Sequence, residues 1–409
     1  MAGPSNIRRQ LPRWSELAPL LTMSPRTGTR DERRVARAVD LDGLRTLALR
    51  RTPRSVFDYV DGGAEEEIAM RRAREAFQRV EFLPRVLQNV HTVDTSTTVL
   101  GVRSELPFVL APTGYTRMMH AAGEPAVARV AAKAGIPYTL STVGTTSPED
   151  VAAASGDGRR WFQLYVWRDR ERSGALIERA ERAGFDTLVL TVDVPVTGGR
   201  LRDVRHGLTI PPTLTARTFL DGALHPRWLF DFLTTPPLEF ASMTTENLSL
   251  EEQAQLMFDD AVVWDDLHWF RDIWPGKLVV KGVQRLDDAA RLPDYGVDGV
   301  VLSNHGGRQL DRAPTPLELL PEVVHEVGDK LEVMIDTGVR SGADVVAAVA
   351  LGATAVLVGR AYLYGLMAGG EAGVQRVVDL FAADVRRTLQ LLGVTSIAEL
   401  DPSCVRLRP

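Results

Sequence analysis

The sequence predicts an α/β protein: a closed (β/α)8 TIM barrel with an N-terminal helical extension and a long insertion after the fourth strand. Three observations predict it. Eight short, nearly continuous apolar runs alternate with Ala-rich helical patterns, as parallel strands buried on both faces require. Most runs recur at the spacing of one β/α unit, roughly 20–35 residues. Polar residues and glycines gather at the C-terminal end of run after run, the rim where this fold places its chemistry.

The elements follow in order. Residues 1–34 carry scattered arginines and turn formers and read as an N-terminal arm. Helical patterns at 40–51, 53–62 and 64–77 form the extension. The apolar runs lie at 108–114, 138–142, 161–166, 187–193, 278–283, 299–306, 333–338 and 355–360, with helical patterns at 123–134, 173–183, 287–295 and 342–351 between them. The fourth connection, 195–277, is far longer than the others, and its aromatic, proline-bracketed middle at 225–238 reads as a lid or docking element. The domain is expected over 35–395, with 396–409 as a C-terminal tail.

Composition narrows the function. Hydrophobic residues at 44% and charged residues at 25% are the balance of a soluble globular chain. A net charge of −5 gives no global attraction for nucleic acid. The single cysteine, Cys404, excludes an internal disulfide and a Cys-rich metal site, and no metal is expected. No signal peptide or spanning run is evident, so a cytoplasmic location is expected.

The rim residues suggest the chemistry. Lys281 interrupts an apolar strand, either as a cation facing a ligand's negative group or as half of an internal salt bridge. His305 and Arg308, three apart on a glycine-hinged turn, can present a proton acceptor and a carboxylate clamp to one small substrate. Asp193 can orient the imidazole or cap its own turn, and Arg200 can supply a second guanidinium or remain a loop cation. The glycine-lined segments with Asp336, Gly338 and Arg340, then Gly359 and Arg360, fall after the seventh and eighth strands, where barrels hold phosphate. No Walker loop, GxGxxG, HExxH or GxSxG appears, which disfavours a Rossmann nicotinamide enzyme and a serine hydrolase.

The segments FDYVDGGAEEE, LAPTG, FQLYVWRDR, LTVDVP, LVVKGV, VLSNHGGRQLD and DTGVRSGADV resemble the FMN-dependent α-hydroxy acid oxidase and dehydrogenase family. GRLRDVRHG, HPRW and GRAYLYGLMAGGEAGV resemble its bacterial quinone-linked L-lactate dehydrogenases most. The resemblance implies FMN as cofactor and oxidation of an L-2-hydroxy acid, L-lactate to pyruvate first among them. Quinone is the implied acceptor, with O2 (as an oxidase or 2-monooxygenase) or a bulkier mandelate-type substrate as alternatives. A non-catalytic flavin-binding barrel is the remote alternative.

Carried over residue by residue, His305 is the base, Asp193 its partner, and Arg308 and Arg200 hold the carboxylate. Tyr59 assists and Tyr165 contacts the hydroxyl. Lys281 stabilises the reduced flavin, while Pro112, Thr113 and Gly114 lie against the ring. Ser141, Gln163 and Thr191 bond its edge, and Ser303 reaches the ribityl region. Asp336, Gly338, Arg340, Gly359 and Arg360 take ribityl and phosphate. Val143 stands where plant glycolate oxidases carry Trp, which leaves room beside the substrate side chain. Gly114 replaces a common alanine. A homotetramer, and peripheral contact of 225–238 with the inner face of the membrane, are the further implications; packing of 225–238 on its own barrel is the alternative.

Overall fold

Eight strands close into a parallel barrel: β1 (Phe108–Leu110), β2 (Tyr138–Ser141), β3 (Arg160–Leu164), β4 (Thr187–Thr191), β5 (Lys277–Val283), β6 (Gly299–Leu302), β7 (Glu332–Ile335) and β8 (Ala355–Val358). The computed structural model describes residues 11–17, 28–208, 215–241 and 259–408. Closure comes where β8 pairs β1 in parallel, Val356 opposite Phe108 and Val358 opposite Leu110. The strands are buried on both faces because alternate residues point opposite ways. One set, including Val109, Trp161, Val189, Val279, Val301, Met334 and Leu357, fills the barrel interior. The other set packs outward beneath the helices.

A feature the sequence pattern did not announce stoppers the N-terminal mouth. Strands Thr97–Val99 and Val102–Ser104 pair antiparallel, and Val99 and Leu100 at their turn join the interior cluster. The last residues, 396–409, expected as a tail, carry a strand (Val405–Leu407) that pairs antiparallel with Val80–Phe82, and Cys404 is buried. Within the expected arm, Arg30–Val35 is helical, closed at its start by a Thr29–Glu32 capping box.

The long fourth connection contains helices Leu201–His206, Ala216–Ala223, Pro226–Thr234 and Asp266–Ile273. Helix Pro226–Thr234 is tied to the rim by Trp228, whose Nε1 donates to the Met118 carbonyl at 2.8 Å. Its neighbour and itself leave Phe219, Leu220, Leu224, Phe230 and Leu233 exposed. Among the described residues no helix is long and apolar enough to cross a membrane.

Candidate active site

A cavity of about 700 Å³ opens at the C-terminal ends of the strands, within the range of sites that hold a small molecule or cofactor. The structure brings together on its wall Tyr59, Pro112, Thr113, Gly114, Ser141, Val143, Gln163, Tyr165, Thr191, Arg200, Lys281, His305, Arg308, Asp336, Gly338, Arg340, Gly359 and Arg360. Two expected residues stand behind it. Asp193 lies under His305, and Ser303 does not reach the cavity because its hydroxyl is used within the protein: it accepts from Lys281 Nζ at 2.9 Å and from the His305 amide at 3.0 Å.

Local backbone chemistry explains how the histidine gets there. His305, Gly306 and Gly307 all have left-handed φ, near +59°, +69° and +70°, so the chain after β6 turns sharply. A Cβ on Gly307 would meet the Met70 amide at 2.7 Å. The Asn304 side chain secures the turn by accepting from the Gly307 amide at 2.9 Å. The ring is thereby aimed at the cavity, its Nδ1 3.1 Å from Asp193 Oδ1 and its Nε2 3.5 Å from the Tyr165 hydroxyl.

Asp193 owes its position to a glycine on the next strand. The β5–β6 register shifts between Lys281 and Val283, which places Gly282 at a bulge with φ near +107°. A Cβ there would stand 2.7 Å from Asp193 Cβ and Cγ. Burial lowers the pKa of His305, and Asp193 opposes that fall only partly. Burial also disfavours the Asp193 carboxylate, yet the adjacent imidazole and Lys281 outweigh it and hold its pKa low. The pair therefore rests as neutral imidazole beside ionised carboxylate, the state in which Nε2 accepts a proton.

Of the two readings open for Lys281, the structure shows the internal salt bridge. Its ammonium pairs with Asp336 at 2.9 Å and also lines the cavity. Burial opposes its charge, but Asp336 and Asp193 keep its pKa raised.

Arg308 and Arg200 flank the Tyr59 ring, their guanidinium carbons 4.8 and 5.7 Å from its centroid. Neither forms an ion pair among the described residues, although Asp203 lies near enough to act on both charges, and Arg200 Nε is buried without a hydrogen-bond partner. Burial and the nearby Arg200 lower the Arg308 pKa to about 9. Two close guanidiniums that no carboxylate pairs with directly are a site for an anion, and a carboxylate matches their fork.

The opposite wall fits a flavin. Gln163 Oε1 accepts from the Ser141 hydroxyl at 2.9 Å and the Thr142 amide at 3.3 Å, which fixes the amide's orientation. Gln163 Nε2 and Thr191 Oγ1 are left buried without partners. Unsatisfied polar atoms of this kind call for a ligand edge carrying its own donors and acceptors. Arg340, Gly338, Gly359 and Arg360 add guanidinium charge and open backbone to the lining.

Sequence reasoning missed several residues here. Arg74 donates to Gly338 O at 3.1 Å and to Asp344 at 2.6 Å, bracing the segment after β7. Gln309 Nε2 donates to the carbonyls of Asp193 and Val196, fixing the root of the long connection. Tyr115 and Phe240 meet edge-on at 5.0 Å on the wall beside Val143. Only Gln309 lay in a motif already singled out; Arg74 is one arginine among many.

With this geometry in hand, comparison with known proteins is decisive. The family model described as FMN-dependent dehydrogenase matches residues 48–407. The chain belongs to the FMN-dependent dehydrogenases. It is 56% identical over 396 residues to a putative L-lactate dehydrogenase of Mycobacterium tuberculosis, covering 97% of this chain and 96% of that one. It is 45% identical to (S)-mandelate dehydrogenase of Pseudomonas putida, over 89% of this chain and 92% of the relative. The crystal structure of monotopic membrane protein (S)-mandelate dehydrogenase superposes with a TM-score of 0.87 at 43% identity, covering 91% of this chain and 100% of that one. As a member of the family the chain is an oxidoreductase with FMN as its cofactor.

Proposed function

We propose that this FMN-dependent dehydrogenase oxidises an L-2-hydroxy acid, L-lactate to pyruvate, and passes the electrons to a quinone. The observation that carries the reading is one cavity lined by a histidine held by Asp193 and by two guanidiniums without an ion-pair partner among the described residues. Such an arrangement takes a proton while it holds a carboxylate on the neighbouring carbon. The name of the M. tuberculosis relative supports the substrate.

In this reading Arg308 and Arg200 bind the carboxylate and orient the hydroxyl carbon, with Tyr59 completing the clamp. Tyr165 steers the substrate hydroxyl, and His305 Nε2 accepts its proton. Asp193 stabilises the imidazolium that results. FMN, when bound, supplies the two-electron acceptor for the carbon. Pro112, Thr113 and Gly114 would lie along it, with Ser141, Gln163 and Thr191 at its edge. Lys281 would sit by the part that becomes negative on reduction, and Asp336, Gly338, Arg340, Gly359 and Arg360 would hold ribityl and phosphate.

A mandelate-type substrate with a larger side chain is the second reading. It is favoured by the small Gly114 and Val143 on the cavity wall and by the 45% identical mandelate dehydrogenase. The exposed apolar residues of helices Ala216–Ala223 and Pro226–Thr234 support peripheral contact with a membrane, where quinone resides. A homotetramer completes the proposal.

Anaerobic mixing of the FMN-loaded protein with L-lactate tests the reaction. Loss of the oxidised flavin absorbance is expected; persistence of the yellow colour with every hydroxy acid in a panel would refute it. Turnover of the reduced protein with a soluble quinone, a dye and O2 in parallel identifies the acceptor.

A further inference from the structure

Outside the cavity the densest cluster of buried charge lies between the long connection and helix Arg54–Asp61. Arg202, on helix Leu201–His206, faces three carboxylates at once. Its Nη1 is 3.0 Å from Asp61 and 3.3 Å from Asp58, and its Nη2 is 2.6 Å from Glu67. His206, one turn on, meets Asp58 at 2.8 Å. Asp61 also takes both arms of Arg45, at 2.6 and 2.9 Å, and the Tyr364 hydroxyl at 2.8 Å. At the other end of helix Arg54–Asp61, Asp221 from the same connection accepts from the amides of Arg54 and Ser55, both at 3.1 Å.

The opposite side of that helix end faces the cavity. Its carbonyls receive two partly buried guanidiniums: Arg308 donates to Tyr59 O and Gly62 O, and Arg360 to Val60 O at 2.9 Å and Gly62 O at 2.7 Å. The carbonyl end of a helix is its negative pole, so it suits cations that otherwise lack a partner. One turn, residues 59–62, thus seats two arginines that meet at the Gly62 carbonyl.

We propose that Arg202 is a positioning residue: by bridging Asp58, Asp61 and Glu67 it sets the turn that seats Arg308 and Arg360, and places Arg200 two residues away beside them. This rests on the hydroxy-acid reading for what Arg308 and Arg200 hold. Two nitrogens shared among three carboxylates demand a planar fork, which a lysine ammonium does not reproduce.

The test compares FMN-loaded full-length wild type with Arg202→Gln and Arg202→Lys. Three quantities are read: KM and kcat for L-lactate, the dissociation constant of oxalate from its perturbation of the flavin spectrum, and FMN release from recovery of flavin fluorescence. Arg202→Gln is expected to raise KM and weaken oxalate about tenfold, with kcat changed much less, because a displaced clamp loses binding common to ground and transition states. FMN release accelerates, and Arg202→Lys falls between the two. A purely structural role would instead lower the loaded fraction and leave KM, oxalate affinity and FMN release of the remainder unchanged; that outcome overturns the proposal. If Arg202→Gln does not load, Glu67→Gln removes one carboxylate and must shift KM and FMN release in the same direction, or the proposal fails. If no hydroxy acid reduces the wild type, the hydroxy-acid reading fails separately, and FMN release from the variants still decides the role of Arg202.

Discussion

A Cβ atom on Gly114 would stand 2.4 Å from Cγ2 of Val143, so the two residues compete for one volume on the cavity wall. The two residues that the family resemblance singled out are therefore adjacent. Gly114→Ala alone therefore overpacks the wall. A loss of about 1–3 kcal/mol is expected from thermal melts of the FMN-loaded protein. The double variant Gly114→Ala/Val143→Ala should recover most of it, giving a clear coupling in a double-mutant cycle.

Val143 also bears on selectivity. Val143→Trp should shift kcat/KM from lactate toward glycolate by filling the space beside the substrate side chain. An unchanged ratio of the two would remove Val143 from the specificity argument.

The His305–Asp193 pair fixes the sign of the pH dependence. Burial holds the His305 pKa below the ordinary 6.5 and Asp193 pulls it back upward. The competent neutral base is present above its pKa, so kcat/KM should rise with pH and level off with a midpoint below about 6.5. Asp193→Asn removes the upward pull and should move that midpoint lower while reducing the rate. His305→Gln should slow flavin reduction by about 10²–10⁴-fold in stopped-flow measurements. A His305→Gln enzyme of normal rate would exclude the histidine as base.

Arg308 carries charge in a place that disfavours it, buried and near Arg200. A bound carboxylate relieves both penalties. Arg308→Lys should keep the charge, lose the fork, and raise KM about ten- to hundredfold, since a point charge does not replace bidentate geometry. Steady-state kinetics with lactate and an oxalate titration check it.

The insertion gives a physical rather than kinetic prediction. Liposomes should pellet the wild type, and replacing 225–238 with a Gly/Ser loop should lower the pelleted fraction, because the exposed Phe230 and Leu233 are lost while Phe219, Leu220 and Leu224 stay. Equal pelleting would assign helix Pro226–Thr234 to covering its own barrel.

Much of this was legible in the sequence because parallel strands buried on both faces leave continuous apolar runs, and the polar residue ending each run marks the rim. The strand at 278–283 with its lone Lys281, and the turn holding His305 and Arg308, stood out for that reason. The antiparallel pairs were not legible: Thr97–Val99 and Val405–Leu407 are three residues each, too short for a period to register. Nor did spacing show that Lys281 meets Asp336, or that Arg202 meets carboxylates more than 130 positions earlier in the chain. Such pairs are made by tertiary packing between distant elements, not by local pattern.

Val99 and Leu100 cork the barrel from below. No path for substrate, product or flavin then runs through the barrel itself, and the cavity is reached from its C-terminal face. Described residues of the long connection, Arg200, Phe240 and Asp260 among them, line that face, so changes in its seating should alter traffic in both directions, even where no reacting group is touched.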